Sequence, residues 1–407
     1  MIVLNQGQSF IVEEAVKWYY NSPEQVFQYD GGPGTGKSEV LKEIIRRIGL
    51  DPLIEVAAMS FIGSASLVMR TKGLINAKTA HSWIYNIKPI KMLDKNGNVM
   101  MDELMNVPIM MPKFVPVVSL DKNIKLIVID EGYSMPRKLR KDIEKFGLKI
   151  LVCGDQNQLP PVNDEPAFLA DGKIYHLTEC MRQIGREDIN FIANRANLGL
   201  PLLNGYYGNS LVIDRDDLTD DMLLWADAVI CCKNKTRDAI NTRIRRSLGF
   251  TSPLPQYGEK VVCRNNNWLE SVTLDNGQEI NLVNGLIGRV LNNPDISSYD
   301  GKLFSMDFCP SLAPNIVFNK SRVNYKHMIA DHETRVKIRN NRYEVGNMFE
   351  FAYAITAHIA QGSQFHNVVY IEEQMHPSIQ TSLNLVGASR ADTSLIYVKS
   401  SGKNFFW

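Results

Sequence analysis

The chain has 407 residues, 44% of them hydrophobic, and its 45 Lys and Arg nearly balance 44 Asp and Glu to leave a net charge of +1. That length implies about two to four domains, and the apolar fraction is enough for sizeable cores, which excludes global disorder. The balanced charge excludes a histone-like passive binder, so any nucleic-acid footprint has to be a local patch.

The six cysteines, Cys153, Cys180, Cys231, Cys232, Cys263 and Cys309, form no CxxC pair and no zinc spacing with the seven histidines. They read as reduced core thiols of an intracellular protein. The first residues, MIVLNQGQSF, lack the basic segment and apolar run of a secretory signal. No apolar stretch is long enough to cross a bilayer, so a soluble protein with no membrane partner is expected.

In chain order, Val26-Phe27-Gln28-Tyr29 reads as a strand entering a Gly-rich loop, and Val40, Leu41, Ile44, Ile45 and Ile48 recur at helical spacing after it. Leu53 to Ala57, Leu126 to Ile129 and Ile150 to Cys153 are further apolar runs of strand length. Strands alternating with amphipathic helices indicate an α/β fold with a parallel sheet. From Ile84 to Val118 the rhythm breaks into a Met- and Pro-rich stretch around Asn96-Gly97. A two-residue Asn-Gly turn would pair Lys95 with Asn98, Asp94 with Val99 and Leu93 with Met100 in a hairpin. The flanking Met92, Leu93, Met100 and Met101 suit either a surface that rubs against changing bases or plain packing onto the first lobe.

Ala228-Val229-Ile230-Cys231 opens a second α/β series, followed by Lys233, Lys235, Arg237, Arg243, Arg245 and Arg246 on a helix and its entry. These cations are either a phosphate stripe or a solvated helix face. From about Thr251 to Val345 helical periodicity fades, and Lys260 to Cys263 with a second Asn-Gly turn at Asn276-Gly277 suggests a small all-β insertion. Phe351 to Ala354, Val368 to Ile371 and Leu395 to Val398 resume the α/β pattern.

Chemistry concentrates in a few motifs. Gly31-Gly32-Pro33-Gly34-Thr35-Gly36-Lys37-Ser38 fits the P-loop pattern, between a strand and a helix as that motif requires. Its glycines allow backbone N–H groups to turn toward phosphate oxygens, Lys37 reaches the outer phosphates, and the Ser38 hydroxyl is a Mg²⁺ ligand. Asp130-Glu131 ends an apolar strand. Beside a P-loop, the first carboxylate holds Mg²⁺ through its water shell and the second orients or deprotonates the attacking water.

Gly154-Asp155-Gln156-Asn157-Gln158-Leu159-Pro160-Pro161-Val162 resembles motif III of the superfamily-1 helicases, and further segments resemble that family's motifs in the family's order. Leu4 to Gln8 resembles the Q motif, Ala57 to Ser60 motif Ia, Thr79 to Ser82 motif Ib, and Leu177 to Gln183 motif IV. Tyr353 to His358 with Gln361-Gly362-Ser363 resembles motif V, and Ala388 to Ala391 motif VI. The ordered set is most similar to the RecD/Dda branch, as is Asn284 to Gly288 in the β-rich stretch. Three positions depart from it: Met59 stands where Pro is common, Ile359 where Lys is common, and Phe61 where a small residue is common.

The resemblance implies two RecA-like P-loop lobes, with a β-hairpin insertion in the first and a small β-rich SH3-like insertion in the second. The corresponding boundaries are 1–83 and 119–183 for the first lobe, 84–118 for the hairpin, 184–250 and 346–407 for the second lobe, and 251–345 for the β-rich insertion. It implies that Gln8, Gly32, Pro33, Gly34, Thr35, Gly36, Lys37, Ser38, Gln361 and Gly362 bind nucleotide. Lys37, Asp130, Glu131, Gln158, Arg182 and Arg390 would carry hydrolysis, with Ser38 and Asp130 on the metal. Gln8 would read the adenine edge, Gln158 would sense the γ-phosphate, and Arg182 and Arg390 would offer planar guanidinium groups to the transferring phosphoryl. Ser60, His81, Thr356 and His358 would contact the DNA backbone, and Phe61 would either stack on a base or pack in the core.

The expected function is an ATP- and Mg²⁺-dependent DNA helicase that moves 5′ to 3′ on single-stranded DNA and splits forks with its hairpin. Its expected partners are single-stranded and fork DNA, with a single-strand-binding or replisome protein as a candidate. Its expected location is the cytoplasm, that of the host if the gene is a phage's. A translocase that strips proteins or remodels forks shares every motif, and a P-loop kinase or nucleotide switch shares the first ones.

Overall fold

Apolar runs whose alternate residues face opposite ways need cover on both sides, and the first sheet has it. In the strand Leu126–Asp130, Leu126 and Val128 pack with Val40, Leu41, Ile44 and Ile45 of the helix Lys37–Ile48, and with Ile11, Val12 and Trp18 of the helix Gln6–Asn21. Ile127 and Ile129 point the other way, into a cluster with Met59, Ile84, Leu139, Ile143 and Phe168. In this computed structural model residues 4–102, 106–161, 164–179, 186–273, 279–295 and 301–400 are described. The described residues divide into two compact units, one within 4–86, 116–217 and 360–400, the other within 87–115 and 218–359.

The first unit contains a six-stranded parallel sheet in the order Ile174–Leu177, Val26–Gly31, Lys149–Gly154, Leu126–Asp130, Val56–Ser60 and Lys78–Thr79. The expected strand from Leu53 begins only at Val56, and Leu53 and Ile54 are exposed. The chain is still turning there: Asp51 Oδ1 accepts the Leu53 N–H and the Asp51 carbonyl accepts the Glu55 N–H, each at 2.8 Å. A separate ladder in this unit pairs Phe365–Ile371, Ala391–Val398 and Ser210–Ile213 in parallel, with Gly205–Tyr207 antiparallel at its edge. The helices Glu187–Asn197 and Pro377–Ala388 belong with it.

In the second unit, Ala228–Cys231 pairs in parallel with Ala354–Thr356. A five-stranded antiparallel sheet runs Phe318–Asn324, Leu303–Pro310, Ile287–Val290, Lys260–Cys263 and Phe349–Phe351. The single strand expected over Phe351 to Ala354 is thus two, one in each ladder, because the chain changes partner at Ala352-Tyr353. Nor is the stretch from Thr251 to Val345 all-β. It contains the helices Tyr325–Ile329 and His332–Asn340, started by Asn324 and Asp331 side chains that accept the N–H groups of His327 and Thr334. Asn276-Gly277 lies outside the described residues.

The Met-rich hairpin consists of a Tyr85–Lys91 and Met110–Pro116 ladder and a short Met101–Asp102 and Val107–Pro108 pair. Its turn is one residue longer than expected. Leu93 bridges Val99, and the Asp94 N–H donates to the Asn98 carbonyl at 2.8 Å, so the loop is Lys95-Asn96-Gly97. Gly97 takes the left-handed conformation at φ 87°, and Asp94 Oδ1 accepts the N–H groups of both Asn96 and Asn98 at 2.8 Å. The side-chain acceptor at Asp94 favours this three-residue loop over the two-residue turn. Met92 is buried with Leu303 and Val345 of the β-rich insertion, and Met100, Ile109, Met111 and Tyr343 pack around them. An Arg322–Asp102 ion pair, Lys95 over the Tyr343 ring and an edge-to-face contact of Phe114 with Trp268 tie the same two segments.

Candidate functional site

The C-terminal ends of the first sheet's central strands gather the P-loop, the acidic pair and the Gly154–Gln158 segment. The P-loop leaves the strand Val26–Gly31 and enters the helix Lys37–Ile48, whose N-cap, Gly36, stands at φ 84° and supplies no side-chain cap. Helical N–H groups at such an end are open to an anion. A Cβ on Gly31 would collide with Thr35 Oγ1 and come within 2.9 Å of Leu177 Cβ, so the loop closes only over glycine. Lys37 Nζ donates to the carbonyls of Gly31 at 2.6 Å and Gly32 at 3.1 Å, which folds its ammonium back over the loop. Pro33, Gly34 and Thr35 form the arch, with Thr35 buried and its hydroxyl donating to the Gly32 carbonyl.

Gln8 braces this loop. It closes a capping box with Asn5, its Oε1 accepting the Asn5 N–H at 3.1 Å, and its Nε2 donates to the Thr35 carbonyl at 2.9 Å. Both ends of its amide are therefore engaged with protein. Ser38 Oγ accepts from Lys72 Nζ at 3.1 Å.

Asp130 ends its strand, and its Oδ1 accepts from the Glu131 N–H at 2.9 Å and from the Cys153 thiol at 3.1 Å. Glu131 is held in the left-handed conformation, φ 54° and ψ 42°, which is strained for a side chain with a Cβ. The Ser134 N–H and hydroxyl, at 3.0 and 2.8 Å, donate to its carbonyl and fix that turn. Burial pushes the Glu131 carboxyl up, Asp130 adds repulsion, and Lys37 and Arg390 offset part of both. A carboxylate made more basic in this way is suited to taking a proton from water.

Arg390 is buried, and its guanidinium donates to the carbonyls of Val386 and Ser363 and to Ser389 Oγ. Burial weakens its hold on the proton while the charges of Glu131 and Asp155 strengthen it, which places Arg390 in the field of the acidic groups. Gln361 Nε2 donates to Gln158 Oε1 at 3.0 Å with both side chains buried, and the neighbouring Gly362 turns the chain at φ 80°. Lys37, Asp130, Glu131, Gln158, Gln361 and Arg390 thus all lie in one compact unit. Arg182 lies outside the described residues.

The candidate DNA-binding residues divide between the units. Ser60 ends the strand Val56–Ser60, fully buried, with no partner for its hydroxyl among the described residues. Phe61 packs in part against the core cluster, and His81 stands on the short helix Ala80–Ile84. Thr356 ends the strand Ala354–Thr356 in the second unit, and His358 is exposed on the following turn. Two departures from the helicase motifs are core residues: Met59 is fully buried, and Ile359 is 8% exposed.

The basic helix Asn234–Ser247 is neither a phosphate stripe nor a solvated face at Arg237 and Arg245, whereas Lys233, Lys235 and Arg246 are exposed. Arg237 is 1% exposed and pairs with Asp238 and Glu350, Arg245 pairs with the buried Glu259, and Arg243 makes a solvent-facing pair with Asp220. One feature of the site carried no sequence signal of its own: Asp30, just before the P-loop, is buried against His176 at 2.5 Å. Asp155, part of the motif III segment but given no role from sequence, has its Oδ2 buried with no partner among the described residues.

The AAA domain family matches residues 3–199. The fold over the whole chain is similar to three Pif1 structures. Bacteroides Pif1 bound to single-stranded DNA is 16% identical, with a TM-score of 0.54 over 98% of this chain and 93% of that one. Pif1 from a study of forked duplex unwinding by two coordinating Pif1 helicases is 17% identical, with a TM-score of 0.53 over 98% and 92%. Pif1 helicase from Candida albicans is 17% identical, with a TM-score of 0.50 over 100% and 96%. No curated protein sequence matches the chain. Residues 3–199 are accordingly similar to the AAA domain family, and the chain as a whole shares the fold of the Pif1 structures.

Proposed function

We propose that the protein is an ATP-dependent DNA helicase that moves 5′ to 3′ on single-stranded DNA and separates duplexes. The observation that carries this reading is the convergence on one P-loop of Glu131, the Gln158–Gln361 hydrogen bond and the buried Arg390. A nucleotide switch needs the P-loop and the acidic pair, whereas the other two belong to a motor. Two of the Pif1 relatives of the same fold were solved on single-stranded DNA, one of them also with ADP-AlF3.

Lys37 swings from the loop carbonyls to the outer phosphates, and the open end of the helix Lys37–Ile48 receives the inner ones. Ser38 Oγ and Asp130 fit Mg²⁺, which takes one or two protein oxygens and keeps its remaining waters. Bound there, Mg²⁺ would neutralise phosphate charge. Glu131 accepts the proton of the attacking water, and Arg390 stabilises the charge that develops on the transferring phosphoryl. Gln8 holds the loop in shape through Thr35. Arg182 is assigned the second guanidinium role on motif resemblance alone.

Ser60, Phe61, His81, Thr356 and His358 hold the strand, and the hairpin tip is the wedge at the fork. Two measurements test the reading on the full chain: ATP hydrolysis with and without single-stranded DNA, and strand displacement on a forked duplex. Stimulation with displacement is expected. Stimulation without displacement leaves a translocase, and hydrolysis indifferent to DNA rejects the motor.

A further inference from the structure

Tyr29, Cys153 and Asp130 stand side by side on three neighbouring strands of the first sheet. The ladder pairs Tyr29 with Cys153, and the pairing of Ile129 with Val152 brings Asp130 alongside Cys153. Tyr29 and Cys153 face the cluster that holds Leu126, Val128 and the helix Lys37–Ile48, and alternation along its strand turns Asp130 to the same face. Tyr29 and Cys153 are both fully buried. The Tyr29 hydroxyl donates to the Lys37 carbonyl at 2.9 Å, which ties the strand Val26–Gly31 to the first residue of the P-loop helix. The Cys153 thiol donates to Asp130 Oδ1 at 3.1 Å.

Counting protons gives the direction of each contact. Tyr29 has one, and the Lys37 carbonyl takes it. Cys153 touches both the Tyr29 hydroxyl and Asp130 and also has one, and an ionised carboxylate is the stronger acceptor. Burial, with the Asp130 charge nearby, holds the thiol well above its ordinary range, so the sulfur keeps the proton that it donates. Asp130 Oδ1 thus receives two donors, this thiol and the Glu131 N–H at 2.9 Å. The two are not equivalent. Glu131 is the next residue in the chain, and its N–H moves with the strand end. Cys153 belongs to a different strand, so its thiol fixes the carboxyl relative to the sheet. With Oδ1 engaged twice, the lone pairs of Oδ2 are left for other partners. An apolar side chain at position 153 would fill the same space in the core but would hold nothing in place, so packing alone does not call for a donor here.

We propose that Cys153 is a positioning residue for the metal-binding carboxylate: its thiol holds Asp130 by Oδ1, and Tyr29 sets the strand that carries it against the P-loop helix. The proposal rests on the ATP-hydrolysing reading above and gives a buried thiol a part in it.

The test uses full-length protein and two readouts: the affinity for a fluorescent ADP in Mg²⁺ and in EDTA, and the Mg²⁺ concentration that half-saturates ATP hydrolysis on oligo-dT. Cys153→Ala is expected to raise the Mg²⁺ requirement about fivefold and to weaken ADP binding in Mg²⁺ by a similar factor, as loss of one hydrogen bond to a charged group would give. Its ADP affinity in EDTA should match that of the wild type. Cys153→Ser, which still donates, should restore the Mg²⁺ requirement. Cys153→Val fills the space without a donor and should behave as Cys153→Ala, so the test stands if the smaller side chain prevents folding. An unchanged Mg²⁺ requirement in both apolar variants overturns the proposal. So does equal weakening in Mg²⁺ and EDTA, which is the result of disturbed packing, or a Cys153→Ser that behaves as Cys153→Ala. A wild-type protein that binds no fluorescent ADP in either condition instead overturns the ATP-hydrolysing reading.

Discussion

Gln361 donates its side-chain amide to Gln158 Oε1 at 3.0 Å, and both side chains are 5% exposed. The bond joins the segment after the strand Lys149–Gly154 to the turn after the short helix Ala357–Ala360, residues 203 positions apart. Gln361→Ala leaves a buried carbonyl oxygen without a donor, at a cost of about 1–3 kcal/mol. DNA-stimulated turnover should fall about tenfold, for roughly 1.4 kcal/mol of lost transition-state stabilisation, with a smaller change in KM for ATP. Unchanged kcat together with unchanged thermal stability would show that the pair couples nothing.

Glu131→Gln should still bind ATP but hydrolyse it about 10²–10⁴-fold more slowly, because an amide cannot take the water's proton. Glu131 must be ionised to act, and burial with Asp130 raises its carboxyl. Activity is therefore expected in full above that raised value and should fall as pH drops through it, at a pH above the ordinary carboxylate range. A kcat–pH profile flat down to the ordinary carboxylate range would remove Glu131 from the role of base.

Arg390→Ala should lower kcat sharply with a modest change in KM, as expected of a group that acts mainly on the transition state. Arg390→Lys should not rescue it, since a single ammonium cannot reproduce three directed hydrogen bonds from one planar group. Steady-state kinetics beside a melting curve separate this from collapse of the site. A variant with normal kcat and a greatly raised KM would make Arg390 a ground-state anchor.

Met92 and Met100 pack against the β-rich insertion, so a clean test of the wedge spares them and replaces only the tip, Leu93 to Val99, with a minimal turn. DNA-stimulated hydrolysis should persist and strand displacement should be lost. Partial duplexes with a 5′ or a 3′ single-stranded tail report the direction of travel. Full displacement by the shortened protein removes the wedge, and displacement of only the 3′-tailed duplex reverses the polarity.

His327 is buried beside Glu350, and burial, with Arg339 and Arg335, holds its imidazole at about 4 against an ordinary 6.5. Unfolding lets it take up a proton. Its contribution to stability is whole above about pH 6.5 and is lost as pH falls from there toward 4. Burial raises the Glu350 carboxyl, but Arg264, Arg237, Arg335 and Arg339 outweigh this and hold it at about 2, so its contribution is lost below its ordinary 4.5. Denaturant melts at pH 7 and pH 5 should show a loss of stability in the wild type and a smaller one in His327→Phe. Equal losses in the two proteins would clear His327.

Sequence alone settled what depends on neighbours along the chain. The P-loop, the acidic pair after four apolar residues and the Gly154–Gln158 segment each place their chemistry within a few residues of a strand end, where periodicity and glycine spacing are legible. The two α/β series were legible for the same reason. Contacts between distant segments were not. Nothing near Gln361 says that it meets Gln158, nothing near Arg237 says that its charge is buried against Glu350, and nothing near Met92 says which surface covers it. The loop at Asn96-Gly97 shows the same limit over a shorter span, because the Asp94 carboxylate decides between two turns that the Asn-Gly pair leaves open. Local sequence sets backbone preference and the spacing of apolar residues. Which side chains end up paired out of water depends on packing between segments far apart in the chain, and only the tertiary structure decides that.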